Sequence, residues 1–247
     1  MRVAIYGTGG AGGYFGAQLA RSGGDVTFIA RGQHLKAIQA HGLCVETPAG
    51  EIVIQPAKAT DDPMQIGPVD VIFVGVKAWQ VEEAAKDIRP MVGPQTFVVP
   101  LQNGVEASSQ LAAALGAEHV LGGLCGTFSW VAAPGRIRNI GTSSFIRFGE
   151  LDNRRSGRAE QLRQSFEKAG VKVDVPADIH KALWEKFLLV TLVRRSRCGE
   201  SGSNRGPPCY AGNAIVAGTM HARGVRSCAG TPCTVERYRS RRHYEIN

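Results

Sequence analysis

Long apolar runs are missing from this 247-residue chain. Its longest apolar stretches, such as Val71–Val76, fall far short of the ~20 residues a membrane helix requires. Gly7 arrives after only six residues, which leaves no room for the apolar region of a signal peptide. Membrane and secreted classes are therefore excluded, and a cytoplasmic protein is expected. Cysteine is sparse upstream, with Cys44 and Cys125 standing alone before residue 192, and without an export signal a disulfide framework is not expected. Internal repeats are also lacking. Acidic residues are outnumbered, 21 against 29 Lys and Arg, for a net charge of +8. That excess is local. Residues 192–247 hold ten Arg and three Glu but no Lys and no Asp, whereas residues 1–191 are within one charge of neutral. The same tail has only seven Leu, Ile, Val or Phe in 56 residues, beside seven Gly and three Pro. So little apolar surface does not offset chain entropy, so residues 194–247 are expected to be disordered.

What is present upstream is alternation. Arg2–Tyr6, Asp25–Ala30, Asp70–Val76 and Thr96–Val99 read as short buried strands, and Cys44–Gln55 as a hairpin turning at Pro48–Gly50. Between them fall helical patterns: one through Phe15 and Leu19 ending at Gly23-Gly24, residues 78–90 closed by Pro90, Gly104–Leu115 ending at Gly116, and 156–169 stopped by Gly170. Gly126–Gly149 is rich in β-formers and turn residues, which suggests antiparallel strands, and Val171–Val175 is a last strand. Strand–helix alternation predicts an α/β domain with a mainly parallel sheet over residues 1–176. Asp178 is placed to cap a further helix running to about Val193, with Ile179, Leu183, Lys186 and Val190 on one face. Residues 177–193 thus open a second, helical domain whose pattern stops there.

Gly7-x-Gly9-x-x-Gly12 lies between the first strand and the first helix. In that frame the first glycine allows a tight turn, the second lets backbone approach a pyrophosphate, and the third lets the helix sit close to the strand, while the helix N-terminus faces the anion. With 31 glycines in the chain the pattern alone would be weak; its context gives it weight. A site for NAD places Asp or Glu at the end of the second strand. Here the residues are Ala30-Arg31-Gly32, and a guanidinium pairs with a 2′-phosphate, which argues for NADP(H). Lys77, Trp79 and Gln80 follow a strand directly, where such sheets open onto their ligand crevice. Asn103-Gly104 ends the next strand, with Asn103 expected at the start of a helix.

The segments GTGGAGGYFGAQLA at 7–20, the strand end at Arg31, GVKAWQ at 75–80, PLQNGVE at 100–106 and LWEKFLLV at 183–190 together resemble ketopantoate reductase, the 2-dehydropantoate 2-reductase family. The resemblance covers residues 1–191. It implies a Rossmann-type dinucleotide-binding domain followed by the start of an incomplete all-α domain. It also implies an oxidoreductase that reduces 2-dehydropantoate, a small 2-keto acid, to pantoate with NADPH, on the pantothenate and coenzyme A route. By position, Gly7, Thr8, Gly9, Gly10, Ala11 and Gly12 would hold the pyrophosphate and Arg31 the 2′-phosphate. Lys77 and Gln80 would line the adenosine side. Asn103 would sit between nicotinamide and substrate, and Lys186 would be the catalytic acid.

The chain departs from the family after that lysine. Val190 stands where the family carries a substrate-binding Asn, and its later Ser and Glu have no match beyond Thr191. An NADP-binding module without turnover, or a reductase of another 2-keto acid, are therefore the alternative expectations. The change in composition further suggests that residues from about 192 derive from a shifted reading frame, which translating the other two frames would test. Two readings of the tail are set aside. Cys198, Cys209, Cys228 and Cys233 lack the tight paired spacing of structural zinc sites, so no metal is expected. Sequence-independent charge at Arg237, Arg239, Arg241 and Arg242 is all that supports nucleic acid.

Overall fold

The computed structural model describes residues 1–198. Arg2–Tyr6 (β1), helix Gly10–Arg21 (α1), Asp25–Ile29 (β2), helix Gly32–His41 (α2), the hairpin Leu43–Thr47 and Gly50–Ile54 (β3, β4), Lys58–Thr60 (β5) and Val71–Val74 (β6) come first. Helix Val81–Asp87 (α3), Phe97–Pro100 (β7), helix Ala107–Leu115 (α4), Leu121–Gly126 (β8), Ser129–Ala133 (β9), Arg136–Asn139 (β10) and Phe145–Glu150 (β11) follow. Helix Gly157–Lys168 (α5), Lys172–Asp174 (β12) and helix Ile179–Cys198 (α6) complete the described chain.

The central sheet is wholly parallel, in the order β5-β2-β1-β6-β7. Its strands are apolar on both faces because helices cover both. On one side Val3, Ile5, Phe28 and Phe73 pack with Phe15 of α1 and Phe166 of α5. The Phe166 ring meets Phe15 and Phe73 edge-on, with centroids 6.1 and 5.6 Å away. On the other, Ala4, Tyr6, Ile72 and Val74 pack with Val81, Ala84 and Ile88 near α3 and Leu111 of α4. From β1 the chain winds outward through β2 to β5, then returns to β6 and β7 on the other side. The order therefore reverses between β1 and β6, which opens a crevice at the carboxyl ends of those two strands.

Two smaller sheets surround this one. The hairpin β3–β4 joins β10 and β9 in the order β4-β3-β10-β9, with β10 parallel to β3 and antiparallel to β9. This sheet lies against α1, whose small residues permit the approach: a Cβ at Gly13 would strike the Ile137 side chain. β12, β11 and β8 form the third sheet, antiparallel between β11 and β8.

Two helical expectations require correction. Residues 78–90 are not one helix: Ala78–Gln80 and Arg89–Met91 are 3₁₀ turns on either side of α3. The Gln80 side chain caps the Lys77 N–H at 3.2 Å, which tightens the first turn, and Pro90 has no N–H to extend the last. Likewise α4 begins at Ala107, not at Gly104. Gly104 sits at φ +113°, outside helical space, so Asn103 lies in an irregular segment and not at a helix cap. Asp178 does cap α6, accepting from the Lys181 N–H at 3.0 Å, and the helix continues past Val193 to Cys198. Of the tail, residues 199–247, with the expectations of disorder and of a shifted frame there, lie outside the described residues.

Candidate active site

Every parallel strand of the central sheet delivers its following loop to one edge, so residues 7–9, 30–31, 75–80 and 101–106 share that edge. The Tyr6 carbonyl accepts from the Gly75 N–H at 2.7 Å, which holds the loops after β1 and β6 together. Gly7 takes φ +96°, and a Cβ there would meet Val76 Cγ1 at 2.9 Å. A Cβ at Gly12 would strike the Gly7 carbonyl and the Ile5 side chain, and one at Gly10 the Ser129 carbonyl. Gly9 is different: its Cβ would enter open space. Three of these glycines are therefore required by neighbouring protein atoms, whereas the space before Gly9 is left for something else. The N-terminus of α1 fits an anion there. It has no side-chain cap and no acidic residue in its first turn, so its unpaired N–H groups and dipole are uncompensated.

Thr8 serves to build this loop. Its N–H and its hydroxyl both donate to the Ile29 carbonyl, at 3.0 and 2.9 Å. His34 of α2 supports it from the other side. Because the Gly135 N–H donates to Nδ1 at 3.0 Å, Nε2 carries the proton and donates to the Thr8 carbonyl at 2.9 Å. Burial pulls this imidazole below its ordinary pKa, and the Thr8 carbonyl opposes that shift.

Beside the loop is a pocket of about 290 Å³, lined by Gly7, Ala30, Arg31, His34, Gln80 and Glu83 among others. The Arg31 guanidinium at its mouth is already engaged, donating to the Asp87 carboxylate at 3.1 Å and to the Tyr6 hydroxyl at 3.2 Å. Tyr6 in turn donates to the same Asp87 oxygen at 2.5 Å. Burial, then that carboxylate, push the Tyr6 phenol well above its usual range, so it stays a donor. Lys77 is exposed, one turn from the pocket, while Gln80 lines it.

At the far end of the edge, Asn103 is exposed in the loop after β7. Its neighbour Gln102 is buried, donating to the Val74 and Val76 carbonyls at 2.9 and 3.0 Å, and its Oε1 has no partner. Cys125 on β8 donates to the Leu101 carbonyl at 3.6 Å. Ile179, Ala182 and Leu183 pack α6 against Leu124, with Val105 alongside, so the helix and the loop meet at β8. Lys186 follows one turn later. Its Nζ is buried and, among the described residues, without a hydrogen-bond partner. Burial pulls the ammonium below its ordinary pKa, and Cys125 is the neighbour that opposes the shift. A buried amine of this kind marks a candidate site for a ligand that would pair with it.

Of the residues singled out from the sequence, the structure brings Gly7, Thr8, Arg31 and Gln80 around one pocket and buries the Nζ of Lys186 on α6. Sequence patterns missed Tyr6, Asp87 and His34, whose roles depend on partners far away in the chain. The carboxylate that engages Arg31, Asp87, comes from the end of α3.

A Rossmann-type α/β domain, with an anion-ready helix at its topological switch and a helix bearing a buried lysine, defines the class. A family model described as ketopantoate reductase PanE/ApbA matches residues 3–153, and the chain belongs to that family. The 2-dehydropantoate 2-reductase of Mesorhizobium japonicum is 32% identical over 208 residues, 76% of this chain and 63% of that protein. Among solved structures, the 2-dehydropantoate 2-reductase of Porphyromonas gingivalis W83 superposes with TM-score 0.76 at 32% identity, covering 80% of this chain and 71% of that one. That of Geobacter metallireducens GS-15 gives 0.72 at 37% identity, covering 75% and 61%. The chain spans about three fifths of the length of the curated relatives it matches. Among the described residues, no helix is long and apolar enough to cross a membrane.

Proposed function

We propose that this chain carries the NADP(H) site and the proton donor of a 2-dehydropantoate 2-reductase. The observation that carries the reading is the buried, unpartnered Lys186 Nζ, on the helix packed beside the carboxyl-end edge that also bears the glycine loop. The N-terminus of α1 would take the pyrophosphate, with Gly9, Gly10 and Ala11 presenting backbone and Gly7 and Thr8 setting the turn. Gly12 would keep the helix close to β1. Arg31 would take the 2′-phosphate, Gln80 and Lys77 would flank the adenosine, and Asn103 would stand between nicotinamide and substrate. The reduced dinucleotide, when bound, supplies the hydride. Reducing a 2-keto acid then needs a proton beside the developing alkoxide, and Lys186 provides it. Its depressed pKa makes it a better acid than a solvated lysine.

One observation favours weak turnover. Among the described residues nothing hydrogen-bonds Lys186 Nζ, so no carboxylate aims it. A misplacement of about 1 Å costs on the order of a hundredfold in rate. NADPH oxidation with 2-dehydropantoate is therefore expected at least about a hundredfold below that of the Mesorhizobium relative, with NADPH still bound. Turnover matching the relative and abolished in Lys186→Ala would show that residues beyond 198 aim the lysine. Turnover that Lys186→Ala leaves unchanged would remove the lysine from the mechanism. Running the same assay on other 2-keto acids decides the substrate.

A further inference from the structure

The proposed NADP(H) reading treats Arg31 as a free cation, yet the structure shows it engaged. Its guanidinium contacts one oxygen of Asp87, and that oxygen also accepts from Tyr6. Asp87 is partly buried, and Tyr6 fixes it from the strand below. Glu83, one turn earlier on α3, lines the same pocket. The Arg31 guanidinium at the pocket mouth is thus bound to the Asp87 carboxylate beside the pocket, with Glu83 on the pocket wall, a balance that opposes a phosphate dianion. A 2′-phosphate that pairs with Arg31 must do so beside the Asp87 charge, whereas a 2′-hydroxyl meets no such repulsion.

We propose that Asp87 is a specificity-determining residue: it orients Arg31 through a shared contact with Tyr6 and, by offsetting its charge, limits how strongly the site prefers a 2′-phosphorylated dinucleotide over its unphosphorylated form. This rests on the reading of Arg31 as the 2′-phosphate residue. The effect is electrostatic and occurs at a partly exposed pair. It is therefore modest in size and weakens as salt screens it.

Isothermal titration with NADPH and NADH tests it on the full chain, comparing wild type, Asp87→Asn and Arg31→Ala, with thermal melts to confirm folding. Asp87→Asn keeps an oxygen for Tyr6 and Arg31 but removes the charge. Its NADPH-to-NADH affinity ratio should rise about fivefold in low salt, with the change in NADPH and not in NADH, and the gain should shrink at high salt. Asp87→Ser provides the same readout should the amide perturb folding. A merely structural Asp87 would shift both dinucleotides alike, and that result would overturn the proposal. If Arg31→Ala lowers the ratio while both Asp87 variants leave it unchanged, Asp87 has no part in selectivity although the Arg31 reading survives. If Arg31→Ala itself leaves the ratio unchanged, the underlying reading fails and the proposal fails with it.

Discussion

Lys186 is where stability and chemistry conflict. A buried ammonium without a partner is unfavourable, and the folded chain sheds its proton more readily than the unfolded one. The unfolded chain therefore binds more protons between the depressed value and the ordinary 10.5, so stability rises with pH across that window and the burden lies below it. Lys186→Met should raise stability by about 1 kcal/mol near neutral pH, about 2–4 °C in Tm. It should also flatten the alkaline rise seen in thermal melts of the wild type. A melting temperature that falls would show that Lys186 has a partner in solution. His34 acts with the opposite role but the same sign. Its neutral form bridges the Thr8 carbonyl and the Gly135 N–H, and its pKa lies below the ordinary 6.5. That contribution is complete above 6.5 and is lost as pH falls through the folded value. Melts from pH 7 to 5 should show a smaller loss in His34→Gln than in wild type; equal slopes would contradict it. At this scale the sequence revealed residues with local signatures, Arg31 after a strand and Lys186 on an apolar stripe. Asp87 and His34 carried no such mark, since their partners lie 56 and 101 residues away.

The elements show which glycines serve the fold and which serve a ligand. A methyl at Gly12 would strike the Gly7 carbonyl, pushing α1 off β1. Gly12→Ala should cost about 1–3 kcal/mol and dinucleotide binding together. Gly9 has an extended backbone with φ −85° and open space before it, so Gly9→Ala should melt like wild type yet bind NADPH at least tenfold more weakly, by titration. Parallel losses in the two variants would refute the distinction. A second load on the elements is the pair between Glu150, ending β11, and Arg158, starting α5, joined at 2.7 and 2.6 Å. Glu150 is 4% exposed. Burial raises its pKa, but the hydrogen bonds from Arg158 and Ser156 and the charges of Arg158 and Arg154 together outweigh that and hold it below the ordinary range. Arg158→Met strands that carboxylate and should cost about 3 kcal/mol in denaturant melts; a loss under about 1 kcal/mol would show it hydrated. Helix interiors were legible from periodicity, but their starts were not, because Gly104 and the Gln80 cap act through backbone geometry.

For the molecule as a whole, the parallel sheet was legible because both-sided burial writes continuous apolar strands. The β4-β3-β10-β9 sheet was only half so. Its antiparallel members showed as turn-rich sequence, but the parallel pairing of β10 with β3 joins segments some ninety residues apart, and no local pattern records it. Beyond Leu183, α6 has a face on which Trp184, Leu188 and Leu192 are exposed, at 52%, 56% and 65%. That face is turned away from Lys186, which lies roughly 200° around the helix from Trp184, on the side that packs through Ile179 and Leu183. The proposed cofactor site lies apart from it, since the glycine loop, Arg31 and the pocket fall within residues 6–131. Titration of the chain with NADPH and then NADH, in wild type and Gly9→Ala, is accordingly the most direct measurement. The account predicts that NADPH binds, that NADH binds more weakly, and that Gly9→Ala loses both; a chain that binds neither dinucleotide, or binds both unchanged in Gly9→Ala, would contradict it.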